Sequence, residues 1–148
     1  MKEKLNKLKI EIDVLSGWWF KFEQGDKKFG TLPDNVGDPI NDLLTAVRLL
    51  YKSFFETECR FFQGPGEDIL LLKRDKNIVR GTFYSFDNAR RGFNKDEGKV
   101  VFEFEDDLFH FTNQIINAYY RLNEQYNLQV DYKELVDLMK EEKKNTGI

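Results

Sequence analysis

The sequence predicts an α+β fold, an antiparallel sheet of about six strands with helices packed on one face, in the order β-β-α-β-β-β-β-α-α. Three observations predict it. Runs of two-residue alternation open the chain and fill its middle, three stretches carry apolar residues at helical spacing, and the connections between runs are short. With 148 residues, 15% of them aromatic and 33% charged, the chain can bury a core without disulfides and still present a soluble surface. A single domain spanning 1–148 is expected, with a charged tail from about residue 141.

The first strand is "LKIEIDV", where Leu8, Ile10, Ile12 and Val14 alternate with Lys9, Glu11 and Asp13. Ser16 and Gly17 suit a tight turn into "WWFKFEQ", which places Trp18, Phe20 and Phe22 on one face and Trp19, Lys21 and Glu23 on the other. The hairpin extends through "EQGDKK" towards Phe29. A helix follows at "GDPINDLLTAVRLLYKSF": Asp38 suits the N-cap and Pro39 the first turn, and Ile40, Leu43, Leu44, Val47, Leu50, Tyr51 and Phe54 share one face.

The turn signals "GPGE" and "DKN" separate three more strands, "TECRFFQ", "DILLLKR" and "IVRGTFYSF". The polar loop "DNARRGFNKDEG" leads to a fourth, "KVVFEFE", with Val100, Phe102 and Phe104 alternating against Val101, Glu103 and Glu105. Two helices close the chain. Asp131 and Glu134 form a capping-box pattern before the last, whose apolar residues are expected to cover the second.

The stretch "EDDLFHFTNQ" holds the only histidine, His110, behind Asp106 and Asp107. At about 100° per residue from Leu108, His110 falls near 200°, on the polar side of the second helix. Asp106 and Asp107 stand where that helix begins, so they read as caps. Asp107 and His110 together fall short of the three or four ligands a zinc site needs. The lone Cys59 alternates in phase with Phe61 and reads as a buried apolar residue. Asp87 to Gly98 fails as a calcium loop, with Ala89 and Arg91 at ligand positions, and "GPG" lacks a phosphate-binding pattern. No catalytic residue, metal ligand or cofactor is therefore expected. A small hydrolase or metal-dependent enzyme using Asp107, His110 or Cys59 is the alternative reading.

Formal net charge is −3 and no basic run is visible, so no nucleic-acid partner is expected. The single cysteine, the charged N-terminus and the lack of any membrane-length apolar run predict a cytoplasmic protein with no membrane partner. The remaining functional signal is the sheet face away from the helices. Trp19, Tyr84, Arg60 and Arg80 fall there among mixed charges, with Arg90 and Arg91 on the adjoining loop, and aromatic anchors beside arginine are typical of protein interfaces.

Over its first half, the layout of "SGWWFKF", "DPINDLLTAVRLL" and "FFQGPGEDILLL" resembles small bacterial proteins, some of them immunity partners in toxin systems. The resemblance implies a protein-binding role with a toxin as the partner. Self-association through sheet edges or the second helix is the competing expectation.

Overall fold

The computed structural model describes residues 7–14, 17–33, 38–87 and 97–146. Its first three strands, β1 (Lys9–Val14), β2 (Trp18–Gln24) and β3 (Lys27–Thr31), form an antiparallel sheet in the order β1-β2-β3. Pairing Ile10 with Phe22 and Ile12 with Phe20 puts the apolar residues on one side, and pairing Glu11 with Lys21 and Asp13 with Trp19 puts the polar ones on the other. Gly25 turns the chain from β2 to β3 at φ 65, a conformation that side chains resist.

Helix α1 (Pro39–Leu50) follows, with the Asp38 side chain accepting from the Asn41 N–H. It is shorter than its apolar spacing suggests. The Tyr51 N–H bonds back to the Arg48 carbonyl and Ser53 adopts φ 75, so the chain leaves the helix before Phe54, which turns into solvent.

The second sheet holds β4 (Glu56–Gln63), β5 (Gly66–Asp75), β6 (Ile78–Phe86) and β7 (Lys99–Asp107) in that order. Cys59, Leu70, Phe83 and Phe102 lie side by side on its inner face, as do Leu72, Gly81 and Phe104. A register shift at Phe83/Tyr84 pairs Tyr84 with Val100 and leaves Val100 and Val101 both exposed, where plain alternation buries one. Helices α2 (Leu108–Tyr126) and α3 (Lys133–Asn145) complete the order β-β-β-α-β-β-β-β-α-α.

A single sheet of about six strands is thus corrected to seven strands in two sheets among the described residues. The inner faces meet through aromatic rings. Phe20 packs on Phe61 at 5.0 Å between centroids, Phe22 on Phe83 at 4.9 Å and Phe29 on Phe83 at 4.5 Å. Each such pair adds roughly 0.5–1.5 kcal/mol beyond burial. Helix α1 lies against β4 and β5, and α2 against β1 of the smaller sheet and β6 and β7 of the larger, with Leu43, Leu44 and Val47 of α1 and Phe111, Ile115 and Tyr119 of α2 in one continuous core.

Polar side chains join the layers. Gln24 of β2 donates to the Glu105 carbonyl of β7 at 2.7 Å and accepts from its N–H at 3.4 Å, so a carboxamide takes the place of a strand neighbour on that edge. Gln114 of α2 accepts from the Ile10 N–H on the β1 edge. Thr31, Gln63 and the buried Asp68 form a hydrogen-bonded trio between β3 and the β4–β5 hairpin. Helix α3 covers the flank of α2, with Leu135 and Met139 buried. The capping box before it does not form: Asp131 accepts from the Lys133 N–H, while Glu134 reaches Arg48 on α1 and Lys52 in the turn after it.

Candidate protein-binding surface

The outer face of β1–β3 is a grid set by strand register. Lys9, Glu23 and Lys28 form one row across the sheet, and Glu11, Lys21 and Gly30 the next. Lys21 sits on the central strand and pairs with Asp13 at 2.8 Å and Glu11 at 3.2 Å, both on β1. Those hydrogen bonds, Asp13 first, raise its pKa above the ordinary value and draw its ammonium to the β1 side. Trp19 leans the opposite way and lies over Gly30 on β3. A β-carbon on Gly30 would stand 2.6 Å from Trp19 Cζ2, so only glycine lets the indole lie flat on the strand.

Between these two side chains runs a groove of about 340 Å³, floored by Trp19 and Gly30 and edged by Lys9, Glu11, Lys21 and Lys28. Among the described residues Lys9, Glu23 and Lys28 take part in no ion pair. A half-buried indole held in a shallow groove, among charges free to choose partners, suits a protein surface.

Tyr84, Arg60 and Arg80 lie elsewhere. They occupy the outer face of the larger sheet, and because the two sheets meet inner face to inner face, that surface points away from Trp19. There Arg80 Nε bonds Glu105 at 2.6 Å, and Arg60 lies 3.5 Å from both Glu58 and the buried Glu67. Tyr84 is half-buried opposite Ile69, and Ile69 and Leu71 are themselves buried on this face. The face is more closed than the Trp19 face. Arg90 and Arg91 lie outside the described residues.

The residues weighed for chemistry take structural positions. The Asp107 side chain accepts from the His110 N–H at 3.0 Å and caps α2. Asp106 Oδ2 lies 2.6 Å from His110 Nδ1, and burial raises the Asp106 pKa even against the opposing hydrogen bond from His110. Cys59 is 1% exposed, and desolvation pushes its thiol well above the ordinary range, away from nucleophilic use. Among the described residues no three His, Cys, Asp or Glu side chains are placed to hold a metal ion, and no helix is long and apolar enough to cross a membrane.

Sequence reasoning missed Gly30 as the bed of the indole. The signal was present, since a glycine inside the strand "KKFGT" marks a place where another group approaches the backbone closely.

The fold and surface define an α+β protein of two antiparallel sheets with an open, tryptophan-bearing sheet face. No protein-family model matches the chain, and no curated protein matches it. Among solved structures it is similar to a chain of the CdiA-CT/CdiI toxin and immunity complex from Enterobacter cloacae, at 12% identity and a TM-score of 0.45, covering 80% of this chain and 99% of that one. At this distance no residue role passes from one chain to the other.

Proposed function

We propose that this chain is a non-enzymatic protein-binding domain of the immunity type, acting in the bacterial cytoplasm by covering a toxin with the outer face of β1–β3. The observation that carries the binding role is the Trp19 groove, an aromatic anchor seated on Gly30 with Lys9 and Lys28 beside it. Tryptophan is among the residues that most often dominate binding energy, and a preset ring loses little entropy on docking. The choice of a toxin as partner rests on the resemblance of "SGWWFKF", "DPINDLLTAVRLL" and "FFQGPGEDILLL" to the immunity type.

The test is affinity capture of tagged protein from its source cells, with Trp19→Ala run in parallel and circular dichroism confirming that the variant folds. A stoichiometric partner held by the wild type and released at least roughly tenfold more readily by the variant is the expected result. Equal capture by both proteins would remove the groove from the interface, and no stoichiometric partner under any growth condition would remove the proposal. If the captured partner lacks toxicity, the immunity reading fails while the binding role stands.

A further inference from the structure

Strand β3 leaves one side of its backbone unpaired beside the Trp19 groove. The two-residue turn Gly25–Asp26 makes Gln24 and Lys27 a closing pair whose N–H and C=O groups face each other. Alternation then turns Phe29 and Thr31 towards β2, and Lys28 and Gly30 away from it. The far side of the sheet fixes the same phase. Ile10, which stands opposite Phe22, sends its N–H outward to Gln114, so Phe22 directs its own backbone groups towards β3.

The β1 edge is thus met by Gln114 of α2, and the β7 edge of the larger sheet by Gln24. Along β3, among the described residues, the outward N–H and C=O groups of Lys28 and Gly30 meet no hydrogen-bonding partner. An edge of this kind is a template for one more strand. The outer face says which strand fits. One row across the sheet reads Lys9, Glu23, Lys28, alternating in sign, and a fourth strand continues it with a carboxylate beside Lys28. The next row ends at Gly30 under the Trp19 indole, so the residue opposite Gly30 meets that ring and is apolar. Positions two apart on a strand share one face, so a single segment supplies both. A second copy of β3 fits poorly, since KKFGT has no acidic residue to set beside Lys28.

We propose, resting on the reading of the Trp19 face as the binding surface, that the protein partner adds an extended segment to the β3 edge. It sets an acidic side chain beside Lys28 and, two residues away, an apolar one against Trp19.

Random peptides of about twelve residues displayed on phage and selected on the purified protein are the probe. Enriched sequences should carry Asp or Glu two positions from an aromatic or aliphatic residue. By NMR, the Lys28 and Gly30 amides should exchange freely in the protein alone and at least about tenfold more slowly with an enriched peptide bound. Lys28→Pro removes one outward N–H and leaves the ladder to β2 intact, so affinity should fall at least about tenfold, against no more than about fivefold for Lys28→Ala, which keeps the N–H. Lys28→Glu should turn the selection towards Lys or Arg at the acidic position. Selection that enriches nothing, or peptides that leave both amides unprotected, overturns strand addition. Peptides indifferent to Lys28→Pro but lost with Trp19→Ala overturn it too and leave the groove standing. Peptides lost with Lys28→Pro but indifferent to Trp19→Ala support strand addition and remove the groove from the binding surface. If circular dichroism shows Lys28→Pro unfolded, amide protection in the wild type decides.

Discussion

Gly81→Ala is expected to destabilise the protein by about 2–2.5 kcal/mol. Gly81 lies on the inner face of β6, between Leu72 and Phe104, and the Phe104 ring occupies the space where a side chain would be. A β-carbon there would stand 2.2 Å from two ring carbons of Phe104 and 2.9 Å from a third. Ordinary carbon contact lies at about 3.5–4.0 Å, so the ring must retreat by more than about 1 Å. It has nowhere to go, because Phe104 is 4% exposed and stacks on Phe111 at 5.7 Å and Phe22 at 6.1 Å.

Overpacking of this kind costs about 3 kcal/mol at the upper end, and the entropy gained by replacing a strand glycine returns roughly 0.5–1 kcal/mol. Urea denaturation measures the difference directly, and at a slope of about 1–3 kcal/mol per molar the midpoint should fall by roughly 0.7–2.5 M. Phe104→Leu removes the outer ring carbons that clash. The double variant should therefore be less destabilised than the sum of the single ones by at least roughly 1 kcal/mol. A Gly81→Ala midpoint within error of the wild type, or strict additivity with Phe104→Leu, would refute the packing argument.

Gly30→Ala meets a similar clash with Trp19, but the indole sits at the surface and can lift away, so stability should change by less than about 1 kcal/mol while affinity for a captured partner falls about tenfold. Tryptophan fluorescence in a Trp18→Phe background checks that the ring has moved. Arg74→Lys should cost about 2 kcal/mol by thermal unfolding, since a single ammonium cannot replace the three guanidinium bonds to the Lys76 and Leu50 carbonyls and Glu142.

Burial holds the folded-state pKa of Asp106 above its ordinary value of 3.8. The contribution of its neutral form is therefore complete below 3.8 and is lost as pH rises through the raised value. Asp106→Asn should gain stability relative to the wild type across that rise, and a constant difference in urea midpoints from about pH 3 to 6 would contradict it.

Much of the local structure can be read from local physics. Alternation alone separates Trp18, Phe20 and Phe22 from Trp19, Lys21 and Glu23, and Asp38 and Asp107 mark the helix starts because a carboxylate there satisfies N–H groups the helix leaves open. The burial of Cys59 follows from its phase with Phe61, and the outward position of His110 relative to Leu108 from the helical period. These are properties of a few neighbouring residues, and the chain carries them wherever it goes.

The partition into two sheets is of another kind. Period-two patterning says which face of a strand is apolar and is silent on what covers it; that was decided by Phe20 meeting Phe61 and Phe22 and Phe29 meeting Phe83, contacts between residues far apart in the chain. The same packing separates Trp19 from Tyr84, Arg60 and Arg80, which a single sheet would have gathered on one surface. Phe54 fits the apolar stripe of α1 by spacing, yet the helix ends at Leu50 because the chain must turn there into β4. The sequence by itself thus determined most of the strands and helices, the caps of α1 and α2 and the side of the strand on which Trp19 stands. Only the tertiary structure decided how the strands divide into layers, that Gly30 seats the indole, and that two phenylalanines face solvent, because each depends on surfaces that meet only once the chain has folded.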